Sequence, residues 1–133
     1  MYKDLAKAIL KKYDLHPVII MDKDLDVKAK YIPEEDKVIF KTVDVDKDIN
    51  KNDPKELMLT ILHEAKHMLD ARSLGISKFL KKYAQAGNIA VHCGRDYHDD
   101  NKWEIRAEKW AHKEYNGYWS EDREETKGAK FLN

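Results

Sequence analysis

One short segment constrains this chain more than any other. Residues 63–67 read H-E-A-K-H, which matches the pattern H-E-x-x-H. Around it, from residue 57 to residue 69, apolar side chains recur at spacings of three and four, which is typical of a helix with one apolar face. Asp53 and Pro54 precede this run and suit the cap and the first position of a helix. The sequence therefore predicts a helix that begins near Pro54 and carries the segment.

The spacing within the segment indicates a metal site. On a helix, His63 and His67 lie one turn apart and project from the same face, so both imidazoles can reach one ion. Glu64 can then lie beside that ion and act as a general base on a water molecule. This pattern predicts the active site of a zinc hydrolase. The alternative is a solvated helix with two surface histidines.

Two histidines do not complete such a site, because catalytic zinc needs three protein ligands and a water. A third histidine at the H-E-x-x-H-x-x-G-x-x-H spacing would fall at Ser73, and Asp70 stands in place of the glycine. The remaining candidate for the third ligand is a glutamate from a helix further along the chain, which is predicted over residues 101–115. We expect Glu104 to bind the metal and Glu108, one turn later, to hydrogen-bond a ligand imidazole. The sequence also allows these two roles to be exchanged.

The segment just before Glu104 offers side chains that could stabilise negative charge on a substrate oxygen. The available donors are Tyr97, His98, His92 and Arg95, and no spacing distinguishes them. We take Tyr97 and His98 as the candidates. His92 and Cys93 also form an alternative source of a metal ligand.

Composition limits the classes of partner and compartment. Lys and Arg number 25, as do Asp and Glu, so the formal net charge is zero, which argues against a dedicated nucleic-acid binder. The single cysteine, Cys93, excludes an intramolecular disulfide and a Cys-rich zinc finger. No signal-peptide core and no apolar run of membrane-spanning length is present. We expect a cytoplasmic protein with a protein or peptide substrate, no nucleic-acid partner and no membrane partner.

The rest of the chain predicts an α+β fold, with helices packed on a short sheet. Its 133 residues suit one domain, expected over residues 1–119, followed by a charged, flexible tail over residues 120–133. The periodicities predict further helices over 2–13 and 78–86, the latter capped by Ser77 and ended by Gly87 and Asn88, with a loop over 89–100.

The strand signals are a β-branched run at 18–21 and a hairpin formed by 28–32 and 37–41 around a polar turn. From their position ahead of the H-E-x-x-H helix, residues 38–41 are the candidate for an edge strand beside the cleft. Such a strand can pair with the backbone of an extended substrate.

Three stretches together resemble the ImmA/IrrE-type metallopeptidases of phages, mobile elements and bacterial regulators. They are the hairpin 29–41, the helix that ends with 63–67, and residues 104–111, which are similar to the family signature E-x-x-A-x-x-F-A with Trp110 in the aromatic place. The resemblance covers roughly residues 29–111.

The resemblance implies a compact α+β zincin fold of gluzincin type. It implies that His63, His67 and Glu104 bind Zn²⁺, that Glu64 is the catalytic base, and that the substrate is a protein such as a phage or mobile-element repressor. The alternative function is a catalytically silent zincin-fold module that binds a partner protein and uses zinc structurally. A third interpretation is a helical interaction protein without metal. Glu64 favours the enzyme, because a structural site has no use for a base.

Overall fold

The computed structural model describes residues 2–42 and 54–120. Within these residues the chain is of the α+β class, as the sequence predicts, with four helices and a small mixed sheet of three strands. The helices are α1 (Tyr2–Lys11), α2 (Pro54–Leu74), α3 (Ile76–His92) and α4 (Lys102–Glu114), and the strands are β1 (Val18–Asp22), β2 (Ala29–Ile32) and β3 (Lys37–Lys41).

The strand order in the sheet is β1-β3-β2, with β1 parallel and β2 antiparallel to β3. The predicted hairpin of β2 and β3 is therefore confirmed. The prediction that residues 38–41 form an edge strand is wrong, because β3 pairs with a neighbour on each side. Its Val38 and Phe40 are fully buried. Among the described strands, β2 and β1 are the edges, and β2 packs against α2.

Helix α2 is the central element. It buries apolar side chains such as Ile61 and Leu62 against α1 and β3, and it buries Ala71 in a second cluster with residues of α3 and α4. A helix covered on several sides has little solvated surface left, so some of its polar residues must also lie inside. These buried polar residues of α2 are Glu64, His67 and Asp70.

Helix α3 is longer than the sequence predicts. It starts at Ile76 after Gly75, whose φ of +88° favours glycine and separates α3 from α2, and Ser77 does not cap α3. It then runs through Gly87 to His92 instead of ending at residue 86. Gly87 is buried, and a Cβ on it would lie 2.4 Å from the ring of Tyr97. The glycine therefore accommodates a neighbouring ring and does not break the helix.

One buried side chain joins the start of α4 to α3. Asn101 is fully buried, and its Oδ1 accepts a hydrogen bond of 2.9 Å from the backbone N–H of Trp103. Its Nδ2 donates a hydrogen bond of 3.0 Å to the carbonyl of Tyr83. Asn101 thus caps α4 and positions its first turn, which contains Glu104, against α3.

The end of the described chain returns to the first helix. A short π-helical turn, Tyr115–Trp119, follows α4, and the Trp119 indole donates a hydrogen bond of 3.0 Å to the hydroxyl of Tyr13. Beyond Ser120, the predicted tail lies outside the described residues, and the proposed domain boundary stays a prediction. No helix in the described ranges combines the length and the apolar character needed to cross a membrane.

We predict that Asn101→Ala lowers the free energy of unfolding by about 2 kcal/mol, because it removes both the cap of α4 and the side-chain hydrogen bond that joins α4 to the Tyr83 carbonyl of α3. Urea denaturation of wild type and variant measures this. The matched control is Asn88→Ala, the same change at an exposed position of α3, which we expect to change stability by less than about 0.5 kcal/mol. Equal losses in both variants would contradict the capping role.

Candidate metal centre

Three side chains from two helices meet at one point. His63 and His67 project from adjacent turns of α2, and their Nε2 atoms lie 3.2 Å apart. Helix α4 packs across α2 and brings Glu104 opposite them. The Oε1 atom of Glu104 lies 2.6 Å from Nε2 of His63 and 2.9 Å from Nε2 of His67. Thus two imidazole nitrogens face the same carboxylate oxygen.

This group can hold a metal ion. Its ligand atoms all lie within 4.8 Å of one another. Two imidazoles and a carboxylate are ligands that zinc and other transition metals accept. Ligand atoms at 2.0–2.1 Å from a tetrahedral ion lie about 3.3 Å apart, close to the separation of the two Nε2 atoms. The two shorter N–O separations are those of hydrogen bonds. The geometry fits a metal ion without specifying which one.

The second glutamate of α4 contacts the other side of one imidazole. Oε2 of Glu108 lies 2.8 Å from Nδ1 of His63, and Oε1 of Glu108 lies 3.1 Å from Nε2 of His112. Glu104 therefore faces the Nε2 atoms, whereas Glu108 faces the far nitrogen of His63. This geometry favours Glu104 as the ligand and Glu108 as the residue that orients His63. The assignment of these roles stays a prediction.

The second oxygen of Glu104 has its own partners. Tyr83 of α3 donates a hydrogen bond of 2.5 Å to Oε2 of Glu104, and Nε2 of His98 lies 2.9 Å from the same oxygen. His98 is among the candidates named from the sequence. Tyr83 is not, because in the sequence it is one more apolar-face residue of a helix. Its contact with Glu104 depends on how α3 packs beside α4, for which no local signal exists.

The other sequence candidates lie away from this group. The ring of Tyr97 packs against Gly87 and lies 6.3 Å from the ring of Tyr83, and its side chain does not line the cleft at the metal ligands. His92 and Cys93 are exposed around the end of α3 and do not join the group of three possible ligands. Arg95 lines a separate cavity together with Cys93.

A cleft of about 420 Å³ opens beside the three ligands. Glu64, His67 and Glu104 line it, and its walls come from the β2 region on one side and from α3 on the other. Glu64 is buried, so its carboxyl group is directed into the protein and not out to solvent. The candidate base and the candidate ligands therefore share one cavity of a size that admits part of a peptide.

The electrostatics of the centre favour a cation. Burial raises the pKa of Glu64, although His67 and His63 oppose that shift. Burial also acts to raise the pKa of Glu104, but the hydrogen bonds from His63 and His67 outweigh it and hold that pKa well below its usual range. Burial opposes a charged His63, yet the Glu104 hydrogen bond and the nearby carboxylates raise its pKa to about 9. The carboxylates thus attract positive charge, as a proton or as a metal ion.

Comparison of the chain with protein-family models, with curated proteins and with solved structures finds no match. The resemblance to ImmA/IrrE-type metallopeptidases therefore rests on the three stretches quoted above and stays a prediction. Support for a function has to come from the arrangement of side chains in the centre and its cleft.

We predict that the metal-free protein loses stability as the pH rises from about 6.5 to about 9. The pKa of His63 is raised from 6.5 in the unfolded chain to about 9 in the folded protein. A raised pKa means that the folded state holds the proton more tightly. The stabilisation that protonated His63 gives to the folded state is therefore complete below pH 6.5 and is lost as the pH rises through about 9. Urea denaturation in the presence of a chelator measures the change. His63→Gln should flatten the profile, whereas His92→Gln, at an exposed histidine, should not.

We predict that wild type binds one divalent metal ion per chain and that Glu104→Gln loses this binding, because a ligand oxygen is replaced by a weaker one. Glu108→Gln should keep the stoichiometry with an affinity lower by about 10- to 100-fold. Elemental analysis of zinc after dialysis and competition with a chromophoric chelator measure both quantities. Loss in Glu108→Gln alone would exchange the two roles, and no binding in wild type would refute the centre.

Proposed function

We propose that the protein is a zinc-dependent metallopeptidase, with His63, His67 and Glu104 as ligands of the zinc ion. The observation that carries this proposal is the position of Glu64, whose buried carboxyl group lines the same cleft as two of the ligands. Two histidines and a glutamate are a ligand set of catalytic zinc in peptidases. A glutamate that follows the first of these histidines directly matches the general base of such enzymes.

Hydrolysis of a peptide bond requires one group that accepts a proton from the attacking water and later donates it to the leaving amine. A bound zinc ion would supply Lewis acidity, lowering the pKa of a water molecule and polarising the substrate carbonyl. The Glu64 carboxylate accepts the proton of the attacking water as the new C–O bond forms. It then gives this proton to the amine nitrogen as the C–N bond breaks. Burial raises the pKa of Glu64, and a carboxylate with a raised pKa accepts a proton more readily at neutral pH.

Two donors are placed to stabilise the developing negative charge. Tyr83 of α3 and His98 of the segment between α3 and α4 both line the cleft, and both contact Oε2 of Glu104. An O–H and an imidazole N–H next to the ligand group can also donate to the carbonyl oxygen of a substrate. We assign this role to His98, one of the two sequence candidates, and to Tyr83 in place of Tyr97.

The position of β2 supports binding of an extended peptide. Ala29, Lys30 and Tyr31 of β2 line the cleft, and β2 has a free edge among the described strands. A peptide can add to such an edge through main-chain hydrogen bonds. This strand takes the role that the sequence analysis gave to residues 38–41. The zincin fold is part of the same proposal, supported by an active-site helix packed beside a short mixed sheet. A cytoplasmic repressor as the substrate is supported by the family resemblance alone.

The alternative is a silent module in which zinc holds α2 and α4 together. A structural zinc site normally has four protein ligands and is closed. In the described part of the chain the group has three members, and a cleft lies beside it. Both features favour a site that leaves a position for water and substrate.

We predict that Glu64→Gln keeps bound zinc but lowers peptide hydrolysis by about a hundredfold or more, because an amide cannot accept the proton. Cleavage of a fluorescence-quenched peptide library by zinc-loaded protein measures the rate. The matched control is Glu56→Gln, the same change at an exposed position of α2, which should retain full activity. A fully active Glu64→Gln would exclude Glu64 as the base. A zinc-loaded wild type that cleaves no peptide would support the silent module.

A further inference from the structure

A cavity of about 330 Å³ lies between α3 and the segment that leads into α4, apart from the metal centre. None of the described residues that line it borders the cleft or belongs to the possible metal ligands. Its described charged residues are Lys82, Arg95, Lys102 and Asp100, so cations outnumber carboxylates by two. The Asp100 carboxylate is engaged, since it accepts a hydrogen bond of 2.8 Å from the backbone N–H of Asp96. The cavity therefore has a local excess of positive charge in a chain whose formal net charge is zero.

A sharp turn of the backbone brings Arg95 to this cavity. Helix α3 ends at His92, and Gly94 has a φ of +76°, a conformation that favours glycine. The backbone N–H of Gly94 donates a hydrogen bond of 2.9 Å to the carbonyl of Val91. The backbone N–H of Arg95 donates one of 2.8 Å to the carbonyl of Ala90. These are the two hydrogen bonds of a Schellman motif, which folds Arg95 back onto the last turn of α3.

The two lysines are brought to the cavity by the hydrogen bond between the Asn101 side chain and the carbonyl of Tyr83. Lys82 precedes Tyr83 on α3, and Lys102 follows Asn101 at the start of α4. The bond therefore places the backbones of both lysines close together. Within residues 2–42 and 54–120, neither lysine forms an ion pair with a carboxylate, and nor does Arg95. All three cations are available to an anionic ligand.

The floor of the cavity is apolar. Ala86 and Ala90 lie four residues apart on the face of α3 that borders the cavity, and both are buried. Side chains this small leave space above the helix. Ile89 also lines the cavity and is 65% exposed, so a large apolar side chain remains open to a ligand. Cations beside open apolar surface in one cavity indicate a site for a ligand that has both an anionic and an apolar part.

We propose that this cavity binds a small organic phosphate, with the phosphate group held by the three cations and the organic group packed on Ile89. Guanidinium and ammonium groups both bind phosphate oxygens. A phosphate monoester carries a charge of about −2 at neutral pH, which matches the excess of positive charge in the lining. The volume of the cavity lies at the lower end of the range for small-molecule sites. The proposal does not depend on the peptidase function, because the site shares no described residue with the metal centre.

The test uses the single cysteine of the chain as a reporter. Cys93 is exposed and lines the cavity, so a ligand held there should shield its thiol. Intact mass spectrometry follows the alkylation of Cys93 in the full chain by iodoacetamide, a neutral reagent, at constant ionic strength because salt screens exposed charges. The probes are phenyl phosphate, inorganic phosphate and benzyl alcohol. We expect half-maximal protection by phenyl phosphate at a concentration at least about tenfold lower than by either other probe, because only phenyl phosphate uses both the cations and the apolar floor.

Variants locate the effect. Arg95→Gln and Lys82→Gln should each raise the concentration of phenyl phosphate for half-maximal protection by about tenfold, because each removes a charged hydrogen-bond donor. Each variant is compared with itself without phenyl phosphate, so that a change in the reactivity of the thiol cancels. The matched control is Lys81→Gln, the same change at an exposed neighbouring position of α3 outside the cavity, which should keep the protection of wild type.

Three outcomes would overturn the proposal. If phenyl phosphate at millimolar concentration does not slow the alkylation of Cys93, the cavity is not a site for organic phosphates. If inorganic phosphate or benzyl alcohol protects as well as phenyl phosphate, the ligand class is wrong. If Lys81→Gln weakens protection as much as Arg95→Gln and Lys82→Gln do, or if neither of these two variants weakens it, the three cations do not form the site.

Discussion

The packing of α4 against α2 is the interaction on which the rest of the centre depends. Ala107 and Ala111 on α4 are fully buried, and side chains this small allow α4 to approach its neighbours closely. The approach brings the carboxylate of Glu104 within 2.9 Å of both imidazole Nε2 atoms. A larger residue at these alanine positions would separate the helices and, with them, the ligands.

The burial of polar groups at this interface lowers the stability of the fold, which indicates that these groups serve a function. Helix α2 buries Glu64 and His67 beside apolar core residues, and Nδ1 of His67 is buried without a hydrogen-bond partner in the described part of the chain. Buried polar groups are unfavourable unless they are paired. Their concentration at one cleft, where burial raises the pKa of Glu64, is typical of a site maintained for binding or catalysis.

The segment between α3 and α4 is held to α3 by two contacts. Tyr97 packs against the bare Cα of Gly87, and Asn101 donates to the carbonyl of Tyr83. These two contacts place His98, which lies between them, next to Glu104. The side chain of Tyr83 itself donates a hydrogen bond to Glu104. Helix α3 therefore serves the centre twice, through a direct contact and through the position of the loop.

Local sequence determined much of this protein. The spacing of His63 and His67 places them on one face of a helix, the cap and periodicity place Glu104 in the first turn of another, and the turn residues between β2 and β3 predict their hairpin. These features depend on neighbours a few residues apart, so period and capping rules describe them. The class of the fold and the two histidines of the possible ligand group follow from them, whereas the contacts between α2 and α4 distinguish Glu104 from Glu108.

Tertiary structure decided the rest. β3 is the central strand because β1, which precedes the hairpin in the chain, pairs with its second edge. Gly87 lies within a helix because the ring of Tyr97 fills the space beside it. Tyr83 meets Glu104 from 21 residues away. No local pattern contains such contacts, because they arise only when separate elements pack, and packing is governed by the shapes and buried surfaces of whole elements.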